Sequence, residues 1–167
     1  MDYGLTEQQQ EMVELARQIA QKKIKPVREY YDRTEEFPWP VVKEIAKSDL
    51  MGVWMPEEYG GLGGGTMDLV LVTEELSRAC GGIALSVATS ALCGIPILFF
   101  GSVEQKKRWL PDLASGKNLG AFTITEPGAG SDATATKTTA RLEGDYYILN
   151  GTKNFCSTVS CCCSVKP

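Results

Sequence analysis

The chain has 167 residues, 43% of them apolar and 23% charged, which is typical of a globular protein with a hydrophobic core. The net charge of −4 excludes a general electrostatic attraction to nucleic acid or to an anionic membrane, and no basic stripe with interleaved aromatic residues is present. The first ten residues, MDYGLTEQQQ, lack the features of a signal or transit peptide, so we expect a cytoplasmic protein with reduced thiols.

Capping signals and helically spaced apolar residues predict helices in the first fifty residues. Thr6 and Gln9 fit a capping box, in which each side chain bonds an open backbone amide at a helix start. The apolar stripe that follows has helical spacing and consists of Met12, Leu15, Ala16, Ile19, Ala20 and Ile24. Pro26 then either kinks this helix or opens the next one. The turn at residues 37–40 leads into a short amphipathic helix, whose apolar face is formed by Val41, Val42, Ile45 and Ala46.

A glycine-rich stretch, residues 56–65, separates these helices from the next one. Its glycines do not fit the G-x-G-x-x-G spacing of a dinucleotide-binding loop, since Thr66 and Asp68 occupy required positions, and no strand precedes them. We therefore predict a flexible connection, with Thr66 as the N-cap of a helix over residues 67–79.

The segment between Arg78 and Glu104 has no charged residue and is long enough to span a bilayer. A small membrane protein that spans at residues 81–100 is therefore one hypothesis. The small residues of this segment suit close helix packing, and no aromatic belt flanks it. We favour the central helix of a globular bundle, with no membrane association.

Helices give way to strands after Lys117. Ser102 and Gln105 form a second capping box, which opens a helix that should end near Gly116. Beyond it, strands are predicted at residues 119–124, 134–142 and 146–149, with a turn at residues 143–145. Asn150-Gly151 is a hairpin signal, because both residues tolerate positive φ. The predicted fold is mainly α with a small β part, in an α+β order.

The stretch TITEPGAGSD, residues 123–132, ends the first predicted strand in a loop of small residues. Gly128 and Gly130 can adopt backbone angles that turn successive N–H groups toward one point, and such a nest binds anionic oxygens. Ser131 adds a hydroxyl donor, and Thr123 and Thr125 place two more hydroxyls on one face of the strand. This pattern suits a cofactor with a flat polar ring and a phosphate tail, but a glycine-rich turn that binds nothing is the alternative.

Several segments of the chain resemble the acyl-CoA dehydrogenase family, most of all its short-chain, butyryl-type members. They occur in the order LTEQQQEMVELARQIAQKKIKP, MPEEYGGLGGG, LVTEELSRACGGIALSV, GIPILFFGSVEQKKRWLPDLASGK, GAFTITEPGAGSDATATKTTA and YYILNGTKNF. The resemblance covers residues 1 to about 155. It implies an α-helical N-terminal domain over residues 1–117 and the first strands of an incomplete middle β-barrel domain over residues 118–158. The Cys-rich tail, residues 159–167, matches nothing in the family and is expected to be disordered.

The resemblance also implies a set of FAD-binding residues. By it, Phe122, Ile124 and Thr125 line the flavin ring, with Thr125 bonding the pyrimidine edge. Gly130 and Ser131 hold the diphosphate, and Ser131 also touches the acyl-CoA substrate. Glu126 is expected to be a structural residue of the loop rather than a catalytic base.

A second flavin motif of the family, aromatic-Ile-Thr-Asn, falls on residues 155–158. By that resemblance Phe155 stacks against the ring, and Ser157 keeps a hydroxyl near the position where the family uses Thr. Cys156 and Thr158 depart from the family pattern.

The family removes hydrogen from the α and β carbons of an acyl-CoA thioester and gives a 2-enoyl-CoA. Its members pass the electrons to an electron-transfer flavoprotein and form homo-oligomers. The family's catalytic glutamate lies in a C-terminal domain that this chain lacks, so no residue here is predicted to be the base. We expect a truncated enzyme; a catalytically inert helical fragment or interaction module is the alternative.

The cysteines do not predict a metal site. The chain has no histidine and no paired zinc spacing, and the consecutive residues Cys161–Cys163 cannot easily direct three sulfurs to one ion. Cys80 and Cys93 lie in apolar surroundings and are expected to be small core residues.

Overall fold

The computed structural model describes residues 4–156, which form a helical bundle followed by a two-stranded sheet. The helices are α1 Glu7–Ile19, α2 Arg28–Thr34, α3 Trp39–Lys47, α4 Thr66–Ala79, α5 Gly81–Phe100 and α6 Val103–Ala114. The strands are β1 Thr139–Glu143 and β2 Tyr146–Asn150. The prediction of a mainly α fold with a small β part is confirmed. The predictions for Ser157 and for the Cys-rich tail lie outside the described residues.

Helix α1 begins as predicted and turns one face to the core. The Thr6 side chain accepts from the Gln9 amide, and the Gln9 side chain accepts from the Thr6 amide, so the capping box is complete. A π-helical segment, Ala20–Ile24, continues α1 and keeps its apolar residues in line. Four-residue spacing drifts by about 40° per step in an α-helix, and the wider π turn offsets this drift. The residues buried by this arrangement are Met12, Ala16, Ala20 and Ile24, whereas Leu15 is 40% exposed.

The chain turns after this segment, and α2 begins two residues beyond Pro26. Helix α3 carries the predicted apolar face: Val41, Val42 and Ile45 are buried.

Helices α1 and α4 pack together and are joined by polar contacts. The Arg17 guanidinium donates to both carboxylate oxygens of the buried Glu75, at 3.1 and 3.0 Å. Near the start of α4, Asp68 accepts from the Gly65 amide at 2.7 Å and from the Gln9 side chain at 3.2 Å. The N-cap is therefore Gly65, and the prediction of Thr66 is wrong by one residue, because the Asp68 carboxylate supplies the capping bond.

The glycine-rich stretch is a packed element, and the prediction of a flexible connection is wrong. The Leu62 amide donates to the Gly52 carbonyl at 3.0 Å, and the Gly63 amide donates to the Met55 carbonyl at 2.9 Å. A Cβ added at Gly61 would lie 2.6 Å from Met55 Cβ and closer still to the Met55 carbonyl. The glycine allows the two backbones to approach, and this approach holds the stretch against residues 52–56.

Helix α5 packs against α4 and α6, and one of its faces lies in the core. Gly94 contacts Trp54, since a Cβ there would lie 2.6 Å from the indole ring. The opposite face exposes apolar side chains, most of all Phe99 at 70% and Phe100 at 88%. Among residues 4–156, α5 is the helix whose length and apolar composition would suffice to cross a bilayer. The prediction of a buried central helix therefore holds for the face of α5 that lies in the core and not for the face that exposes Phe99 and Phe100.

The β part is a hairpin that differs from the prediction in its bounds. Strands β1 and β2 pair antiparallel, with Glu143 opposite Tyr146 across the predicted turn, and Gly144 there has φ +59°. The strand predicted at residues 119–124 does not form, and no ladder partner for residues 121–124 exists among the described residues. Strand β1 begins at Thr139 rather than near residue 134, since the amides just before it bond a side chain described below.

The second hairpin signal, Asn150-Gly151, marks no hairpin in the part of the chain that the structure describes. Strand β2 ends at Asn150, and Gly151 packs against Thr138, where an added Cβ would lie 2.7 Å from the threonine Cβ. Neither Asn150 nor Gly151 has a positive φ. Close packing across the two segments, rather than turn formation, accounts for the glycine at this position.

Candidate functional site

The segment that leads to the candidate site is anchored on α5. Leu119 is buried at 6% exposure, and the Gly120 amide donates to the Ser90 hydroxyl at 3.2 Å. A Cβ added at Gly120 would lie 2.9 Å from Cys93 Sγ and closer to Cys93 Cβ. Small residues on both segments, Gly120 on one and Ser90 and Cys93 on α5, therefore allow the chain to pack directly against the helix.

Beyond this anchor, the chain exposes the residues that were predicted to face a flavin ring. Phe122 is 40% exposed and Ile124 is 42% exposed, so both side chains present apolar surface beside the loop. Thr125 is half-buried, and its hydroxyl forms no hydrogen bond within residues 4–156. These three residues thus combine apolar surface with an available hydroxyl.

The glycine loop itself does not have the predicted conformation. Glu126 and Ala129 form a β-bridge, with amide-to-carbonyl distances of 3.0 and 3.1 Å in the two directions. Neither Gly128 nor Gly130 has a positive φ, so the predicted nest of glycine backbone angles is wrong. The bridge determines the loop shape instead and occupies the Ala129 amide.

Donors remain available around the bridge. The amides of Gly128, Gly130 and Ser131 and the Ser131 hydroxyl have no hydrogen-bond partner among the described residues. A Cβ added at Gly128 or at Gly130 would meet no atom within 4 Å, so the space beside both residues is open. An anionic group can therefore approach this side of the loop without displacing protein atoms.

Glu126 is a buried structural carboxylate. It accepts from the Thr138 hydroxyl, from the amides of Lys137 and Thr138 at 2.7 and 2.9 Å, and from the Lys153 ammonium at 2.9 Å. The hydrogen bond from Thr138, followed by those from Lys137 and Lys153, lowers the pKa of Glu126 to about 2. A carboxylate with this pKa and these partners is not suited to accept a proton at neutral pH, which agrees with the expected structural role.

The low pKa of Glu126 predicts a pH dependence of folding. The pKa is lowered from 4.5 to about 2, so its contribution to the free energy of unfolding is complete above about pH 4.5 and is lost as the pH falls toward 2. We expect the difference in unfolding free energy between the unsubstituted chain and Glu126→Gln to be constant above pH 5 and to shrink between about pH 4.5 and 2. Urea unfolding at a series of pH values measures it. A difference that stays unchanged down to pH 2 would contradict the assignment.

A second segment, residues 153–155, runs beside the first. The Lys153 ammonium donates to the Ile124 carbonyl at 2.9 Å, and the Asn154 amide donates to the Thr125 carbonyl at 2.9 Å. Phe155 has φ +55° and is 90% exposed. A bulky residue in the left-handed region is uncommon and costs backbone strain, so this conformation marks the position as a candidate for function.

The structure therefore joins the predicted ring-binding residues Ile124 and Thr125 to the segment that leads to Phe155, whereas Ser157 lies outside the described residues. Ile124 and Thr125 are hydrogen-bonded to the residues that immediately precede Phe155, and Gly130 and Ser131 follow the bridge at the loop end. Sequence reasoning did not single out Lys153 and Asn154, although both lie in the segment YYILNGTKNF that carries part of the family resemblance. Their role is indicated only by their contacts in the structure.

A cleft of about 470 Å³ lies elsewhere, between α2 and the start of α5. Its lining combines acidic groups such as Asp32 and Glu35 with apolar ones such as Phe37 and Ile83. Within residues 4–156, no group of three or more His, Cys, Asp or Glu side chains has an arrangement that holds a metal ion. Cys80 and Cys93 are half-buried.

Comparisons with known proteins agree with the fold. Residues 6–117 match the family model described as acyl-CoA dehydrogenase, N-terminal domain, and residues 121–164 match the model described as acyl-CoA dehydrogenase, middle domain. A 3-(aryl)acrylate reductase of Clostridium sporogenes is 48% identical over 152 residues, which are 90% of this chain and 40% of the reductase.

Solved structures give the same result. A chain from the structural study of the electron transferring flavoprotein of Acidaminococcus fermentans is 40% identical, with a TM-score of 0.88, over 93% of this chain and 41% of that one. The acyl-CoA dehydrogenase from Bacillus anthracis, solved in complex with FAD, is 36% identical, with a TM-score of 0.86, over 93% of this chain and 27% of that one.

This chain spans about two fifths of the length of the curated relatives that it matches. The N-terminal model alone covers more than half of the chain; the helical bundle lies within the residues that it matches, and the hairpin lies within those that match the middle-domain model. The chain belongs to the acyl-CoA dehydrogenase family.

Proposed function

We propose that this chain is part of an FAD-dependent oxidoreductase that acts on the CH–CH group of an acyl-CoA thioester and forms a 2-enoyl-CoA. The observation that carries the proposal is the pairing of residues 124–126 with residues 153–154, which places exposed apolar side chains beside available hydrogen-bond donors. A flavin nucleotide has both a flat apolar ring with polar edges and an anionic diphosphate, so the residues present fit this group.

The proposal divides the FAD contacts among three places. Phe122, Ile124 and Phe155 offer apolar surface for the ring, and the Thr125 hydroxyl is available for the polar edge of its pyrimidine part. The amides and hydroxyl at Gly130 and Ser131 are available for the diphosphate. Ser157 remains a proposed contact outside the described residues. When bound, FAD supplies a two-electron acceptor for the hydride that leaves the β carbon.

The substrate and partner assignments extend the same proposal. Ser131 is exposed beside the loop and is proposed to touch the acyl-CoA as well as the cofactor. An electron-transfer flavoprotein is the proposed electron acceptor, supported by the match to a chain from the study of such a protein. A homo-oligomer is proposed as the working form.

No described residue is assigned as the catalytic base. Glu126, the carboxylate that directly follows Thr125, has four hydrogen-bond or ion-pair partners and a pKa of about 2. General acid–base groups contribute roughly 10²–10⁴-fold to rate, so we expect this chain by itself to turn over acyl-CoA slower by at least that factor than an enzyme with a base.

The competing hypothesis is an inert helical fragment or an interaction module, and an FAD titration separates the two. We expect the purified chain to quench flavin fluorescence and to give a structured, shifted flavin absorbance band. Thr125→Val should weaken FAD binding by about tenfold, since it removes one buried hydrogen bond of about 1 kcal/mol or somewhat more. Thr134→Val serves as the control, because Thr134 is exposed and its hydroxyl bonds Asp132. An unchanged flavin spectrum with the unsubstituted chain would favour the inert fragment.

The direction of the redox reaction is a separate question for the same assay. The relative at 48% identity is named as a reductase. Reduction of a C=C bond to CH–CH is the reverse of the dehydrogenation proposed here. Enoyl and saturated thioesters should therefore both be offered to the FAD-loaded chain.

A further inference from the structure

We propose that Lys153 is the positioning residue of the candidate site: its ammonium clamps residues 124–126 to residues 153–155 and thereby holds the two predicted ring-binding segments in register. The expected effect on FAD binding rests on the proposed function. The clamp itself rests only on contacts among the described residues.

The clamp consists of contacts to three consecutive residues. The Lys153 ammonium donates to the Ile124 carbonyl and lies 2.9 Å from Glu126 Oε1, and the Asn154 amide donates to the Thr125 carbonyl. Lysine is suited to this task because its ammonium carries three donors on one nitrogen. It therefore serves a backbone carbonyl and a carboxylate at the same time.

Burial makes the clamp stronger than an ordinary surface ion pair. The Lys153 side chain is 25% exposed and the Glu126 side chain is 7% exposed, whereas the Lys47–Glu44 pair on α3 has side-chain exposures of 74% and 35%. Solvent screens an exposed pair, so such pairs contribute little, but removal of one partner from a buried pair leaves a charge without its counterion. The other partners of Glu126 are backbone amides and a hydroxyl, which are neutral donors.

The position of the clamp gives it a role beyond local stability. Ile124 and Thr125 are proposed to contact the ring, and Phe155 follows Lys153 by two residues and has a strained backbone. Without the ammonium, the main-chain link that remains between these two segments is the Asn154–Thr125 hydrogen bond. We infer that loss of Lys153 lets the segments separate, so that the two sides of the ring site no longer form together.

The test uses the 167-residue chain with Lys153→Met, which keeps most of the unbranched side chain but removes the charge and the donors. In the absence of FAD, we expect hydrogen–deuterium exchange at the Asn154 amide to become about tenfold faster, because the segment that carries its acceptor, the Thr125 carbonyl, is released. With FAD, we expect the dissociation constant to rise about tenfold and Lys153→Arg to recover part of the loss, since it restores the charge.

Lys47→Met is the matched control, because it removes an exposed lysine ion pair far along the chain from the site. It should change neither the exchange nor the FAD affinity. Lys153→Gln, which also removes the charge, takes the place of Lys153→Met if that variant does not fold. Unchanged Asn154 exchange, or unchanged FAD binding, in the variant that lacks the charge overturns the inference. Failure of the unsubstituted chain to bind FAD overturns the proposed function, whereas the exchange result still decides whether the clamp exists.

Discussion

Gly61→Ala is expected to lower the free energy of unfolding by about 3 kcal/mol, as in severe overpacking of a core. A Cβ at this position would overlap the Met55 carbonyl and lie 2.6 Å from Met55 Cβ, and a backbone carbonyl cannot rotate away as a side chain does. The Leu62 and Gly63 amides hold the glycine stretch against residues 52–56, so the overlap must move several hydrogen bonds together.

Gly82→Ala is the matched control for this prediction. A Cβ at Gly82 meets only Cys80 Sγ at 3.9 Å, and alanine favours the helix by roughly 1 kcal/mol relative to glycine. Thermal and urea unfolding of the two variants should therefore shift in opposite directions. Equal unfolding midpoints for Gly61→Ala and the unsubstituted chain would show that the glycine stretch can move to accept the methyl group, as a flexible connection would.

Gly120→Ala is expected to cost about 1–3 kcal/mol of stability and to weaken FAD binding as well. The added methyl group would press against Cys93, whose Cβ is tied to the backbone of α5, and would push the chain away from the Ser90 hydroxyl that accepts from Gly120. Because residues 121–125 follow directly, a shift here moves the predicted ring contacts relative to the bundle.

A double-mutant comparison identifies the cause of the Gly120→Ala effect. Cys93→Gly removes the Cβ that the new methyl group would meet, so Gly120→Ala in that background should cost less than it does alone. Cys93→Ala keeps the Cβ and should give little relief. If the costs of Gly120→Ala are equal in all three backgrounds, contact with α5 does not cause the loss. Urea unfolding supplies the stability comparison and flavin fluorescence supplies the affinity.

The sequence predicted those structural elements that depend on residues only a few positions apart, such as helix caps and tight turns. The capping boxes at Thr6 and Ser102 form as expected, because each needs only a hydroxyl and a glutamine three residues apart. The turn at Gly144 connects β1 and β2 for a similar reason, since one residue with positive φ reverses the chain locally. Family membership was also accessible, because it depends on the order of motifs along the chain.

Interpretations that required knowledge of distant partners were less successful. Residues 119–124 have the apolar composition of a strand, but a strand exists only with a neighbour to accept and donate hydrogen bonds, and the described residues provide none for 121–125. Strand β1 begins only at Thr139 because the amide of Lys137 donates to the carboxylate of Glu126, which lies eleven residues before Lys137. Neither fact is visible in the local pattern.

The sequence alone determined that the first part of the chain is helical and where the helices after Thr6 and Ser102 begin, because caps and periodicity act over one or two turns. It also determined the family, through the order of the motifs. The tertiary structure decided what individual small and charged residues do. Gly61 and Gly120 allow close backbone contact, Glu126 and Lys153 join segments 27 residues apart in the chain, and the bridge at Ala129 replaces the predicted nest. These roles arise from excluded volume and from hydrogen bonds between distant residues, and both require that the chain be already folded.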